Sequence, residues 1–157
     1  MALREAFSCP GRSKLLLAAG VVAAVVCGFT SQALGSFGSA INLATGANPQ
    51  SVAIADLNGD SNPDLAVANT DSGNVSILLG TGNGTFGTAT NVAVGAGPLS
   101  VAVGNLDGDS FPDLAVANGD SDNLSVLLGN GNGTFGAASN LPAGNGPSSV
   151  AIGSLDG

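Results

Sequence analysis

Two segments of the chain match when they are shifted by 49 residues, and this period constrains the fold more than any other feature. Residues 56–69 read DLNGDSNPDLAVAN and residues 105–118 read NLDGDSFPDLAVAN. A fixed period between about 20 and 50 residues indicates stacked structural units, none of which buries its apolar surface alone. The same spacing recurs outside the two segments, at Phe37, Phe86 and Phe135 and at Pro49, Pro98 and Pro147.

Each unit contains four short segments with the pattern of β-strands, separated by turn sequences. In the first unit we predict strands at residues 51–56, 64–69, 74–79 and roughly 86–94. Large apolar side chains alternate with alanines and there is little charge on either face, which is typical of a sheet packed on both sides. Four-stranded sheets repeated radially are propeller blades. The sequence therefore predicts an all-β fold of four-stranded antiparallel β-propeller blades.

The repeats start at Phe37 and divide into residues 37–85, 86–134 and 135–157, which is about 2.5 blades. A third Asp-containing loop begins at Ser154 and reaches only Gly157. Because propellers typically close with about four to eight blades, these blades form an incomplete propeller. We expect the chain to be a fragment of a longer protein with further blades in cis, or alternatively to close a ring by oligomerisation.

The first 33 residues have the features of a secretory signal peptide. Residues 1–14 contain every Lys and Arg of the chain, and residues 15–26 are an apolar run. Small side chains at Ser31 and Ala33 suit cleavage after Ala33. A membrane anchor is the alternative, but a spanning helix needs about 20 apolar residues. We therefore predict a signal peptide at residues 1–33, a repeat region at residues 34–157, and a secreted, extracellular or cell-surface location.

Charge and composition exclude several classes of function for the repeat region. After Lys14 there is no Lys, Arg or His, and ten of the eleven acidic residues are Asp from Asp56 onward. Such a field repels nucleic acid and anionic lipid and attracts cations. We expect no nucleic acid partner, and membrane attachment only through an uncleaved leader. Because Asp alone would have to serve as both acid and base, we expect no enzymatic activity.

The first repeated loop has oxygen-bearing side chains at every second position. Asp56, Asn58, Asp60, Asn62 and Asp64 occupy positions 1, 3, 5, 7 and 9. A tight turn brings alternate residues toward one point, and Ca²⁺ accepts about six to eight oxygen ligands with irregular geometry. The pattern predicts a Ca²⁺ site, with position 7 contributing its backbone carbonyl.

The second loop repeats this arrangement with changes at positions 1, 3 and 7. Its candidate ligands are Asn105, Asp107, Asp109, the backbone carbonyl of Phe111 and Asp113. Both loops carry three carboxylates, whose mutual repulsion a bound divalent ion would remove. An ordinary Asp/Asn/Gly hairpin turn is the alternative interpretation of one such loop, but duplication before an identical strand favours metal binding.

Other known loop types fit less well. An EF-hand requires a bidentate Glu at position 12 and flanking helices. Position 12 is Val67 in the first loop and Val116 in the second, both within strand-like LAVA. Position 6, where a left-handed backbone would favour Gly, is Ser61 in the first loop and Ser110 in the second.

The combined motifs resemble the FG-GAP/VCBS repeats of integrin α-subunit propellers and many bacterial surface proteins. The resembling segments are Phe86-Gly87, residues 95–98 and residues 105–118, with counterparts 49 residues earlier. The resemblance implies a propeller blade with Ca²⁺ in the loop between its first two strands. The residues that match the family's ligand positions are Asp56, Asn58, Asp60 and Asp64 in one loop and Asp107, Asp109 and Asp113 in the other.

One residue departs from the family pattern, since Asn105 stands where Asp is usual and would weaken the second site. The expected function is that of a secreted Ca²⁺-binding propeller segment for adhesion or ligand binding, with an extracellular protein or glycan as partner. The alternatives are a lectin-like carbohydrate-binding propeller and a non-catalytic accessory domain of an extracellular enzyme.

Overall fold

The computed structural model describes residues 40–154, which form two four-stranded antiparallel sheets. The predicted signal peptide, Phe37 and the last three residues of the third loop lie outside this range. Blade 1 comprises β1 (Pro49–Ala55), β2 (Asp64–Asn69), β3 (Asn74–Leu78) and β4 (Thr90–Ala93). Blade 2 comprises β5 (Pro98–Gly104), β6 (Asp113–Asn118), β7 (Asn123–Leu127) and β8 (Ser139–Pro142).

The strands follow each other in sequence order across both sheets, as the 49-residue period predicts. The registers repeat as well: Val52 faces Val67 in blade 1, and Val101 faces Val116 in blade 2. Residues 40–154 contain no helix, so this part of the chain has none that is long and apolar enough to cross a membrane. The all-β blade architecture is thus confirmed.

The fourth strand is the one whose predicted length is wrong. It spans only Thr90–Ala93, whereas the sequence pattern predicted residues 86–94. Phe86 makes an isolated bridge with Gly80 instead, and the Gly87 N–H donates to the Leu79 carbonyl at 2.8 Å. This local pairing closes the glycine-rich turn and keeps Phe86 out of the sheet ladder.

The core lies within and between the two blades. Blade 1 supplies Leu57, Ala66, Ala68, Val75 and Ile77, and blade 2 supplies Val101, Leu114, Val116 and Leu127. The small alanines of one blade allow the larger side chains of the other to approach, which is why bulk alternates along the strands. Of the three repeated phenylalanines, Phe135 is partly buried against this core and Phe86 is half-buried.

The two faces of the first strand of each blade have different roles. Ser51, Ala53 and Ala55 of β1 lie toward blade 2, where the Val101 N–H donates to the Ser51 hydroxyl at 3.3 Å. The same contact recurs 49 residues later, because the Val150 N–H donates to the Ser100 hydroxyl at 3.3 Å. Each repeat is therefore joined to the next by an equivalent contact.

Candidate metal-binding loops

Loop 1, residues 56–63, connects β1 to β2 and is organised around one carboxylate. Asp56 Oδ1 accepts the backbone N–H groups of residues 58, 59 and 60 at 3.3, 2.7 and 3.2 Å. Its Oδ2 accepts the Ser61 N–H at 2.8 Å. Because four successive amides converge on one side chain, the loop curls tightly around position 1.

Asp60 lies at the exposed tip of this curl beside Asn58. The Asn58 side-chain amide donates to Asp60 Oδ2 at 3.0 Å, and the Asn62 N–H donates to Asp60 Oδ1 at 2.8 Å. The backbone hydrogen bond from Asn62, followed by that from the Asn58 amide, lowers the pKa of the Asp60 carboxyl. Asp60 is therefore held as an anion, which is the form that binds a cation.

The backbone of loop 1 bends through two left-handed residues. Gly59 has φ +79° at position 4, and Ser61 has φ +67° at position 6. Glycine adopts this region without steric penalty, while a residue with a Cβ pays for it. The loop thus bends at Gly59, and Ser61 adopts the left-handed backbone that its position suggested.

Asp64, the predicted ligand at position 9, occupies a different environment from the loop tip. It is fully buried at the start of β2, and its two oxygens accept the Leu57 N–H at 2.8 Å and the Gly80 N–H at 2.7 Å. The carboxylate thereby ties the start of loop 1 to the turn after β3. Asp113 repeats this arrangement with Leu106 at 2.6 Å and Gly129 at 2.8 Å.

Loop 2, residues 105–112, has the same place between β5 and β6 but a different internal structure. Asn105 Oδ1 accepts only the Gly108 N–H, at 2.7 Å, and its amide group donates to the Asp109 carbonyl. Asp107 and Asp109 accept the N–H groups two residues further on, at 3.0 and 2.7 Å. Gly108 is left-handed at φ +86°, whereas Ser110 has no positive φ.

The side chains at position 7 pack on the turn that precedes the fourth strand of each blade. Asn62 lies against Gly82 and Phe111 lies against Gly131, so closely that neither glycine could carry a side chain without displacing its neighbour. Phe111 nevertheless stays exposed. Both side chains thus contact the glycine-rich turn of their own blade.

Two overlapping matches to the FG-GAP-like repeat family cover residues 56–116 and 105–157. The chain belongs to the FG-GAP-like repeat family. The matches begin at Asp56 and Asn105, the first positions of the two loops. Searches of curated proteins and of solved structures gave no significant match.

The side-chain oxygens of these FG-GAP-like loops are of the type that binds Ca²⁺, and their hydrogen bonds do not use all of their lone pairs. A carboxylate offers about four lone-pair sites and an amide oxygen about two. In loop 1 Asp56 Oδ2, Asn58 Oδ1 and both oxygens of Asp60 each accept one hydrogen bond, so each retains a site. In the same way, each oxygen of Asp64 accepts one N–H. The loop can therefore offer several oxygens while keeping its internal hydrogen bonds.

The predicted ligand residues are not all gathered at one point. Within residues 40–154, no three Asp, Glu, His or Cys side chains converge as a metal-binding group. In loop 1, Asp56, Asn58 and Asp60 are linked to each other by hydrogen bonds, whereas Asp64 lies buried on the blade side. Completion of the predicted set would require the exposed tip and the buried carboxylate to approach one ion.

A buried polar network at the opposite end of each FG-GAP-like blade was not anticipated from the sequence. The side-chain amide of Asn69, the last residue of PDLAVAN, donates to Asn74 at 2.8 Å and to Ser76 at 2.9 Å. Asn118 repeats both contacts with Asn123 and Ser125 at 2.8 Å. The sequence does contain a pattern that could have predicted this network, since these Asn and Ser residues recur at the 49-residue spacing inside otherwise apolar strands.

Proposed function

We propose that this chain is a secreted Ca²⁺-binding propeller segment that mediates adhesion or ligand binding. The observation that carries the proposal is the placement of both acidic loops at the same β-strand connection in successive blades. Each loop presents carboxylates and an amide in a curl with unused acceptor capacity. FG-GAP-like repeats occur generally in extracellular and cell-surface proteins, which supports the location.

Calcium would act by making the loops rigid. The ion would be held by Asp56, Asn58, Asp60 and Asp64 in loop 1, and by Asp107, Asp109 and Asp113 in loop 2. Extracellular modules bind Ca²⁺ with Kd values of about 10⁻⁴–10⁻³ M. An ion bound only to the folded state stabilises it by about 1.4 kcal/mol per site at tenfold excess over Kd.

Isothermal titration calorimetry of the full chain with Ca²⁺ tests the proposal. We expect binding to saturate at millimolar calcium. The number of Ca²⁺ ions bound per chain should be lower by one in Asp60→Ala. Asp71→Ala, which removes an exposed acidic residue from the β2–β3 turn, is the matched control and should leave both sites intact. An absence of binding at millimolar Ca²⁺ in the folded wild-type chain would refute calcium binding.

We further propose that the segment binds its partner without catalysis. Residues 40–154 contain no His, Cys, Lys, Arg, Glu or Tyr, so general acid–base chemistry would rest on Asp alone. Assay of the full chain against hydrolase substrates at several pH values tests this, and turnover abolished by an Asp substitution would contradict it.

A lectin-like role is the second candidate, and it is supported by the exposed ring of Phe111 in loop 2. Aromatic rings combine an apolar surface with defined geometry, which suits binding at a wet surface. A glycan array distinguishes the two roles: binding that is lost in Phe111→Ala would favour a carbohydrate partner. Binding to an extracellular protein with no glycan signal would favour adhesion.

A further inference from the structure

The β7–β8 turn of blade 2 lies between the two candidate metal-binding loops and contacts both of them. This turn, residues 129–135, is closed by a bridge between Gly129 and Phe135. Inside it, the Thr134 N–H and hydroxyl both donate to the Asn132 side-chain oxygen, at 3.0 and 2.6 Å. Because its own hydrogen bonds hold it together, the turn can carry a displacement from one end to the other.

Blade 2 fixes one end of this turn through three successive residues where loop 2 meets β6. The Phe111 ring lies against Gly131, and the Pro112 carbonyl lies against Gly129. The Gly129 N–H also donates to Asp113 Oδ1 at 2.8 Å. The position of the turn therefore depends on the position of loop 2.

The other end of the turn contacts loop 1 across the blade boundary. The Gly133 N–H donates to the Leu57 carbonyl at 3.0 Å, and Leu79 of blade 1 packs on Gly133. Gly59, near the tip of loop 1, lies beside the Gly131 carbonyl. The turn thus supports the part of loop 1 that leads from its first position to its exposed tip.

These hydrogen bonds form a continuous path between the blades. Leu57, at position 2 of loop 1, accepts the Gly133 N–H and donates its own N–H to Asp64 Oδ2 at 2.8 Å. In blade 2, Asp113 joins position 2 of loop 2 to the β7–β8 turn in the equivalent way. Hydrogen bonds in such chains polarise one another. The path therefore runs from loop 2 through the turn to loop 1.

A contiguous network carries coupling between two places when an element of it has two discrete arrangements. The two loops show that this type of loop has two. In loop 1, Ser61 is left-handed and Asp56 accepts four backbone N–H groups. In loop 2, Ser110 has no positive φ and Asn105 accepts one. A contact from outside the loop can thus favour one arrangement over the other.

We propose that loop 2 controls the conformation of loop 1 through the β7–β8 turn. When Phe111 or Asp113 shifts, the turn moves and Gly133 loosens its contact with Leu57. A consequence for calcium rests on the proposed function: an ion in loop 2 fixes the turn and raises the affinity of loop 1. Because coupling between sites is reciprocal, an ion in loop 1 raises the affinity of loop 2 by the same factor.

Amide hydrogen exchange, measured by NMR on the metal-free full chain, tests the coupling itself. Phe111→Ala removes the ring from Gly131, and folding should be retained because the ring is 43% exposed. We expect exchange of the Gly59 and Ser61 amides, which donate to the carboxylate at position 1, to rise about fivefold, a typical lower value for linked sites. Leu141→Ala removes a similarly exposed apolar side chain from β8 and should leave both rates unchanged.

A second pair of variants tests the path. Gly133→Asn places a side chain against Leu79 and separates the turn from loop 1. Gly84→Asn makes the same change at the equivalent position of blade 1, where no described residue lies within 4 Å of an added Cβ. Both glycines are left-handed, a conformation that Asn tolerates well. Phe111→Ala should have no further effect on loop 1 in the Gly133→Asn background and its full effect in the Gly84→Asn background.

Unchanged exchange of the loop 1 amides in Phe111→Ala would overturn the inference. A full effect of Phe111→Ala in the Gly133→Asn background, or an equal rise in Leu141→Ala, would overturn it as well. Calcium titration of the same chain distinguishes it from the proposed function. Coupled exchange without calcium binding would refute the calcium proposal alone, and calcium binding without coupled exchange would refute the coupling alone.

Discussion

Loops 1 and 2 occupy the same place in blades with identical register, yet they differ in how they are held together. Asp56 accepts four backbone N–H groups in loop 1, whereas Asn105 accepts one in loop 2 and uses its amide to donate to Asp109. The serine at position 6 is left-handed only in loop 1. The Asp-to-Asn exchange at position 1, one of three differences between the loops, thus accompanies a change of backbone conformation five residues later.

Their surroundings differ too. The β7–β8 turn of blade 2 lies on loop 1 through the hydrogen bond from Gly133 to Leu57, and no described residue covers Leu106 in loop 2. The repeated sequence therefore determines the strands, while the loop conformation also depends on position 1 and on the neighbouring blade. Three pairs of substitutions at equivalent positions of the two blades separate these two influences.

The largest effect is expected at position 9, where the carboxylate is buried in both blades. Asp64→Ala removes the acceptor for two buried N–H groups, so we expect the free energy of unfolding to fall by about 3 kcal/mol. Asp113→Ala should cost less, about 1–2 kcal/mol, because the hydrogen bonds of Asp113 to Leu106 and Gly129 are only partly buried. Urea denaturation of both variants measures the difference.

Asp71 provides the control for loss of an exposed carboxylate with one exposed hydrogen bond from the Asn48 side chain, and Asp71→Ala should change stability by less than about 0.5 kcal/mol. Equal losses for Asp64→Ala and Asp113→Ala would show that the cover provided by blade 2 has no energetic consequence. If Asp64→Ala lowers the free energy of unfolding no more than the control does, the stabilising role of this buried carboxylate is contradicted.

The strands and the loop positions could be predicted from the sequence because they depend on local patterns. Alternating apolar residues and glycine-rich turns specified β1 to β3 within one or two residues, and the odd-numbered oxygen donors specified the loops. The fourth strand was predicted too long because Phe86 and Gly80 pair across a turn whose closure depends on backbone hydrogen bonds. Periodicity carries no information about that pairing.

The role of Asp64 could not be predicted, for a related reason. Its partner Gly80 is 16 residues away and is brought near only when β2 and β3 pair. Spacing alone grouped Asp64 with the exposed donors of the loop tip. Likewise, Ser61 and Ser110 are identical in sequence position, yet only the Ser61 N–H donates to the side chain at position 1 and only Ser61 is left-handed.

An intermediate effect is expected from exchanging position 1 between the loops. Asn105→Asp supplies a second carboxylate oxygen, so loop 2 should adopt the conformation of loop 1 and bind Ca²⁺ about tenfold more tightly, or about 1.4 kcal/mol. Asp56→Asn should weaken loop 1 by a similar factor. Calorimetry measures both affinities, and a structure of Asn105→Asp with Ser110 still outside the left-handed region would contradict the assigned cause.

The smallest effect concerns the serine at position 6, where the two loops can be compared with the same substitution. A left-handed backbone costs about 1 kcal/mol of steric strain in a residue with a Cβ. Ser61→Gly removes this strain, whereas Ser110→Gly has no such strain to remove. Both variants gain the same backbone freedom in the unfolded chain, so that contribution cancels in the comparison. We therefore expect Ser61→Gly to be more stable than Ser110→Gly by about 1 kcal/mol in urea denaturation. Equal stabilities would mean that Ser61 adopts its backbone conformation without strain, because the Asp56 hydrogen bond to its N–H offsets the steric cost in full.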